Sequence, residues 1–215
     1  MKRADVFEFY RRLAEANPSP ETELEYVNPY TLLVAVVLSA QSTDVGVNKA
    51  TRALFAEVTT PEQMVALGEE ELKQHIKTIG LFNTKAKNVI ALSRILVEQY
   101  GGEVPLTREA LQALPGVGRK TASVVLNELR IEPAIAVDTH VFRVAHRLGL
   151  AFGKAPDQVE AELMSIVPEP LLTRAHHWLI LHGRYVCIAR RPKCEECVVA
   201  DLCPSRHLFV PKLSS

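Results

Sequence analysis

Proline and glycine set the limits of what this chain can build, and most tightly at Leu114-Pro115-Gly116-Val117-Gly118-Arg119-Lys120-Thr121. Proline followed by Gly-x-Gly stops one helix and lets another begin almost at once. Leu111 and Leu114 face inward from the helix before it, and Val124, Val125 and Leu129 from the helix after it. A helix-hairpin-helix is therefore expected over about residues 107–130, with Thr107 as its first cap. Gly116 and Gly118 permit positive φ and close backbone approach, leaving unpaired amides near residues 116–120 facing outward. Such amides favour an anion, and a DNA phosphate is an obvious one. A helical corner could carry the same glycines for its turn alone. The exposed Gly-x-Gly followed by Arg119 and Lys120 favours phosphate.

Elsewhere apolar residues recur at helical spacing, and neither strand-like alternation nor a repeat of roughly 20–50 residues is visible. An all-α fold follows. Helices are expected over residues 4–16 and 29–39, after a cap at Thr43 or Asp44, and from Pro61 and Glu69. Gly80 is the expected C-cap of the helix opened at Glu69, and Asn83 the cap of a long helix reaching Tyr100. Ala86, Val89, Ile90, Ser93, Leu96 and Val97 form the inner stripe of that helix, with Lys85, Lys87, Arg94 and Glu98 off it. Residues 139–148, 156–167 and 171–181 complete the helices. The nearly unbroken apolar run 32–38 carries β-branched residues, yet its helical neighbours favour a buried helix.

A chain of 215 residues can bury a substantial core in one domain or two small ones. Its 25 basic and 25 acidic residues cancel, so a nucleic-acid partner must be held by local patches and backbone donors. No apolar run approaches the roughly 18 residues of a membrane span. No apolar stretch follows Lys2 and Arg3, so a secretory signal is not expected and the cytoplasm is the default compartment.

All four cysteines fall in one cluster, Cys187, Cys194, Cys197 and Cys203. That is the pattern of a metal site rather than a spread disulfide framework, and the spacing alone suits either tetrahedral zinc or an iron–sulfur cluster. Between the first two lies Ile188-Ala189-Arg190-Arg191-Pro192-Lys193, a basic loop pinned at both ends. On a neutral protein it reads better as a phosphate-binding patch than as a solvated charge run.

Lys120 falls in the first turn of a helix, where the macrodipole disfavours a cation. It is either a phosphate contact or an amine whose neutral form is encouraged, as a Schiff-base nucleophile requires. Asp138 follows apolar Ile135-Ala136-Val137 and precedes a helix, which makes it an N-cap first. A carboxylate fixed in this way stays ionised and can also stabilise a developing sugar cation or activate a nucleophile. Ser39-Ala40-Gln41-Ser42-Thr43-Asp44 is on local evidence a capped loop, though its small residues would let Gln41 project. Leu81, beside a glycine, is a residue packed under a turn or, if exposed, a wedge between bases.

Taken together, Leu114-Pro115-Gly116-Val117-Gly118-Arg119-Lys120-Thr121-Ala122, Val137-Asp138-Thr139-His140 and the cysteine spacing closely resemble bacterial endonuclease III. Residues 39–44 and His177-Trp178-Leu179-Ile180-Leu181-His182-Gly183-Arg184 resemble the same family, so the likeness covers nearly the whole chain. The resemblance implies a monomeric, nucleoid-associated DNA glycosylase and abasic-site lyase acting on double-stranded DNA with oxidised pyrimidines or abasic sites. It implies a six-helix domain over residues 21–132, and a four-helix domain of residues 1–20 and 133–215 with a 4Fe–4S cluster. Lys120 would attack the anomeric carbon with help from Asp138, and β-elimination would cut 3′ to the lesion. Gln41 and Leu81 would fill the gap left by the flipped nucleotide. Gly116, Gly118, Arg119, His140, Arg190, Arg191 and Lys193 would contact DNA. Cys187, Cys194, Cys197 and Cys203 would hold the cluster in a structural and DNA-binding role. Two rivals share parts of this pattern. Lys120 and the chain end at Ser215 argue against a monofunctional adenine glycosylase, and Lys120 together with Asp138 argues against a non-catalytic iron–sulfur DNA-binding module.

Overall fold

Proline and side-chain caps set most of the helix starts. The computed structural model describes residues 1–210, and the chain end at Ser215 weighed above lies outside them. The helices run α1 (Arg3–Ala16), α2 (Pro29–Ser39), α3 (Asp44–Glu57), α4 (Pro61–Leu67), α5 (Glu69–Ile76) and α6 (Phe82–Tyr100). They continue with α7 (Arg108–Gln112), α8 (Arg119–Glu128), α9 (Thr139–Leu148), α10 (Pro156–Ile166) and α11 (Leu172–Tyr185), and no strand occurs among the described residues. The fold is all-α. Pro29, Pro61 and Pro156 each begin a helix, where the missing N–H costs nothing. Asn28 and Thr60 close capping boxes with Thr31 and Gln63, while Thr43, Thr107 and Asp138 cap α3, α7 and α9.

Four expectations need correction. α5 ends at Ile76 with Lys77 as its C-cap, so Gly80 caps nothing. α6 starts before Asn83, because the Leu81 carbonyl already accepts the Lys85 N–H at 3.0 Å and Leu81 itself is the N-cap. Lys85 is buried rather than off the inner stripe. α11 continues to Tyr185, a turn past Leu181, because packing against α9 outweighs the low helix propensity of Gly183.

The chain divides into two units, Thr22–Glu132 and Met1–Glu21 with Pro133–Ser215. In the first, α2 is the centre, and every residue from Tyr30 to Leu38 is buried. α3, α6 and α8 pack on it, α4 and α5 pack on α6, and α7 packs on α8. With no face left for solvent, an unbroken apolar run is what such a helix requires. This unit holds α2 to α8, and Gly68 at φ +82° ends α4 and lets α5 begin separately, as the two starts at Pro61 and Glu69 suggested. The second unit gathers α1, α9, α10 and α11 around Phe9, Tyr10, Val144, Leu163, Trp178 and Leu179. The Trp178 indole donates to the Asn17 carbonyl at 2.8 Å and ties α11 to the segment after α1. Among the described residues no helix is long and apolar enough to cross a membrane.

Gly183 marks the tightest helix contact of the second unit. A Cβ there would lie 2.9 Å from the His140 Cβ and 3.2 Å from the His140 carbonyl oxygen, atoms that α9 cannot move cheaply. Gly183→Ala is expected to destabilise the protein by about 1–3 kcal/mol despite alanine's better helix propensity. A lower melting temperature in thermal denaturation checks this, and an unchanged or higher one would show that α9 and α11 yield.

Candidate active site and nucleic-acid interface

The hairpin turn is built as its glycines suggested, but only one of them needs positive φ. Gly116 sits at φ +78°, and a Cβ on it would come within 3.0 Å of the Asn88 side chain. Gly118 has φ −88° and ψ 179°, a conformation open to any residue, and faces open space. Its missing side chain serves access to the backbone instead. Gly118 is the N-cap of α8, with no side-chain cap and no acidic residue in the first turn. Gly118 thus brings no capping oxygen to the first amides of α8, and the first turn of that helix brings no carboxylate. Arg119 and Lys120 are exposed on that turn.

Gln41 and Leu81 belong to the same unit and share a rare backbone state. With Arg130 they are the non-glycine residues at positive φ among the described residues, Gln41 at 56° and Leu81 at 60°. Left-handed backbone on a leucine costs free energy of order 1–3 kcal/mol and persists only where the surroundings over-determine it. Both side chains are exposed, Leu81 to 60%. The ordinary reading of Leu81, packed under its turn, does not hold. The two loops adjoin, since a Cβ on Gly80 would lie 3.8 Å from the Gln41 carbonyl oxygen.

In the other unit, buried Ala134, Ile135, Ala136 and Val137 anchor the approach to Asp138. Asp138 Oδ1 accepts from the His140 and Val141 amides, both at 2.8 Å. Both bonds fall on one oxygen, so Oδ2 remains for other work. His140 lies in the first turn of α9, its Nδ1 3.2 Å from Arg143 Nη2.

The four cysteines are each partly buried. Burial, with Cys187, Cys203 and Cys194 adding to it, pushes the Cys197 thiol up, and burial does the same to Cys203. Among the described residues no group of three or more His, Cys, Asp or Glu stands ready to hold a single metal ion. The donor set does fit a cluster of thiolate-held iron, because N–H donors already reach the first of these sulfurs. Arg147 Nη1 donates to Cys187 Sγ at 3.5 Å and to the Ile188 carbonyl at 2.9 Å, and Nη2 donates to the Ala189 carbonyl at 2.7 Å. Arg143 Nε donates to the Cys187 carbonyl at 3.0 Å. These two arginines, one turn apart on α9, were missed in the sequence. Their spacing was visible, but nothing in it pointed to the cysteine loop. Within that loop Arg190, Arg191 and Lys193 are exposed, and among the described residues none is in an ion pair.

Comparison with known proteins decides the family. Residues 34–169 match the HhH-GPD superfamily of base excision DNA repair proteins, and residues 187–203 match the iron–sulfur binding domain of endonuclease III. The chain is 56% identical to endonuclease III of Escherichia coli (strain K12) over 203 residues, 94% of this chain and 96% of that one. Its identity to endonuclease III of Rickettsia conorii is 58% over 198 residues, 92% of this chain and 93% of the other. This chain belongs to the endonuclease III family. A solved structure of a trapped endonuclease III–DNA covalent intermediate superposes with a TM-score of 0.89 at 43% identity, covering 96% of this chain and 97% of that one. The chain is accordingly a base excision DNA glycosylase with abasic-site lyase activity, and it carries one 4Fe–4S cluster.

The cap on α9 gives a direct check of the Asp138 geometry. Asp138→Ala is expected to cost about 1 kcal/mol, and Asp138→Asn, which caps as well, only a few tenths. Chemical denaturation measures both. Equal losses would mean that the charge, not the cap, holds that helix end.

Proposed function

We propose that this family member removes oxidised pyrimidines from double-stranded DNA and cleaves the strand 3′ to the resulting abasic site through a Schiff base on Lys120. The observation that carries the proposal is the position of Lys120: exposed, in the first turn of α8, directly behind a Gly-x-Gly turn whose N-cap, Gly118, has no side chain. Gly116 and Gly118, with Arg119, hold a DNA phosphate on those amides, which brings the sugar to the amine. The amine attacks the anomeric carbon, the C–N bond to the damaged base breaks, and the base leaves. The sugar ring opens to an iminium, which acidifies the neighbouring C2′ proton. Loss of that proton expels the 3′ phosphate, and water later frees the lysine. Asp138, held in place by its two amide donors, stabilises positive charge on the sugar as the base departs. The covalent intermediate trapped for a similar endonuclease III supports this route.

Gln41 and Leu81 occupy the space left by the flipped nucleotide, and their strained, exposed positions support that role. His140, Arg190, Arg191 and Lys193 contact the DNA backbone. Residues 21–132 act as the hairpin domain, and residues 1–20 with 133–215 as the cluster domain. Cys187, Cys194, Cys197 and Cys203 hold the 4Fe–4S cluster, which when bound cross-links the basic loop and fixes its charges for DNA. The enzyme works as a monomer at the nucleoid.

Borohydride reduction on thymine-glycol duplex is expected to give a stable protein–DNA adduct that Lys120→Ala abolishes. An adduct of undiminished yield in that variant would sink the Schiff-base assignment. Replacing Arg190, Arg191 and Lys193 together by alanine should weaken binding across all sequences and flatten its dependence on salt by up to about three phosphate contacts. An unchanged slope of affinity against salt would remove the loop from the interface.

A further inference from the structure

Gln41 and Leu81 stand on separate loops, and one buried residue reaches both. Lys85 donates its backbone N–H to the Leu81 carbonyl at 3.0 Å. Its side chain turns inward, leaving the residue 5% exposed, and Nζ donates to Ser42 Oγ at 2.9 Å. Ser42 follows Gln41 directly, and its own N–H donates to the Ser39 carbonyl at 3.0 Å, closing the turn in which Gln41 is left-handed. Two strained, exposed residues therefore hang from a single lysine.

An ammonium in this place is costly. Buried lysines are ordinarily paired with a carboxylate. Among the described residues Lys85 has none, and the partner of its amine is a neutral hydroxyl. It also lies near the start of α6, where the helix dipole opposes a cation. Burial holds the amine below its ordinary pKa. An apolar side chain of similar size would fill the same space at lower cost. What only the amine supplies is the link to Ser42.

We propose that Lys85 is a positioning residue that locks the Gln41 turn to the Leu81 turn, so that both side chains enter the duplex as one wedge when the lesion leaves the stack. The inference rests on the reading that Gln41 and Leu81 fill the vacated space. Without the link the Gln41 turn relaxes from its left-handed state and must be ordered again at the moment of flipping. Losing it slows extrusion from an intact pair and spares a lesion that is already poorly paired.

Single-turnover base removal from 5-hydroxycytosine paired with guanine, compared with the same lesion opposite thymine, tests this. The variants are Lys85→Met, Ser42→Ala, Gln41→Ala and the Lys85→Met/Gln41→Ala double, each with its fold checked by thermal melting. The single variants are expected to be about tenfold slower on the pair with guanine, the worth of one hydrogen bond to a charged group. On the mismatch Lys85→Met and Ser42→Ala should stay within about twofold, since extrusion there is already cheap. The double variant should be no slower than Gln41→Ala alone, because one link cannot be lost twice. If Gln41→Ala is slow while Lys85→Met and Ser42→Ala match wild type, the coupling fails and the wedge stands. Multiplied losses in the double variant, or equal slowing on both substrates, also overturn the coupling. If Gln41→Ala itself is unaffected, the wedge reading falls and takes the coupling with it. Should Lys85→Met not fold, Ser42→Ala carries the comparison, because it leaves the packing of α6 intact.

Discussion

Every α-helix begins with amides that its own carbonyls cannot reach, and this chain meets that constraint in two ways. At α2, α4 and α9 a side chain takes them up: Asn28, Thr60 and Asp138. At α8 the cap is Gly118, which has nothing to offer, and the first turn holds no carboxylate. Under the proposed function a DNA phosphate completes that helix, and Lys120, one residue past Arg119, is carried to the sugar by the same contact. The hairpin, the charge pattern of the turn and the exposure of the lysine all fit a helix start that glycine leaves open to an outside anion.

Asp138 shows the opposite arrangement, since its capping bonds complete a helix and leave one carboxylate oxygen over. Two amides on Oδ1 hold the carboxylate in place, while Oδ2 is left over. The role of N-cap and the proposed role beside a cationic sugar do not compete. Arg143 and Arg147 extend the same helix into the cysteine loop, where their donors grip the backbone from Cys187 to Ala189. The basic loop is thus fastened from α9 as well as from its cysteines.

Much of this was legible in the sequence wherever a residue's own chemistry decides the outcome. Proline at a helix start, threonine or asparagine before it, and glycine at the hairpin each announce their role. The sequence was less informative where neighbours decide. Leucine has no preference for positive φ, so nothing marked Leu81 as the N-cap of α6, and Asn83 was the better cap by propensity. A lysine is placed on the wet side of a helix by its charge, yet Lys85 is buried because a loop distant in sequence brings Ser42 to it. Gly183 should end a helix, but close packing against His140 makes its lack of a side chain an asset. The proposed roles of Lys120 and Asp138 came from the family pattern, because a helix-end lysine and a capping aspartate have ordinary explanations as well.

Tandem mass spectrometry of the borohydride-reduced protein–DNA adduct tests the central assignment most directly, because it reads which nitrogen made the bond. The deoxyribose remnant is expected on the Lys120 side chain alone, within a peptide that trypsin no longer cleaves at that position. A remnant on the N-terminal amine or on another lysine would contradict it.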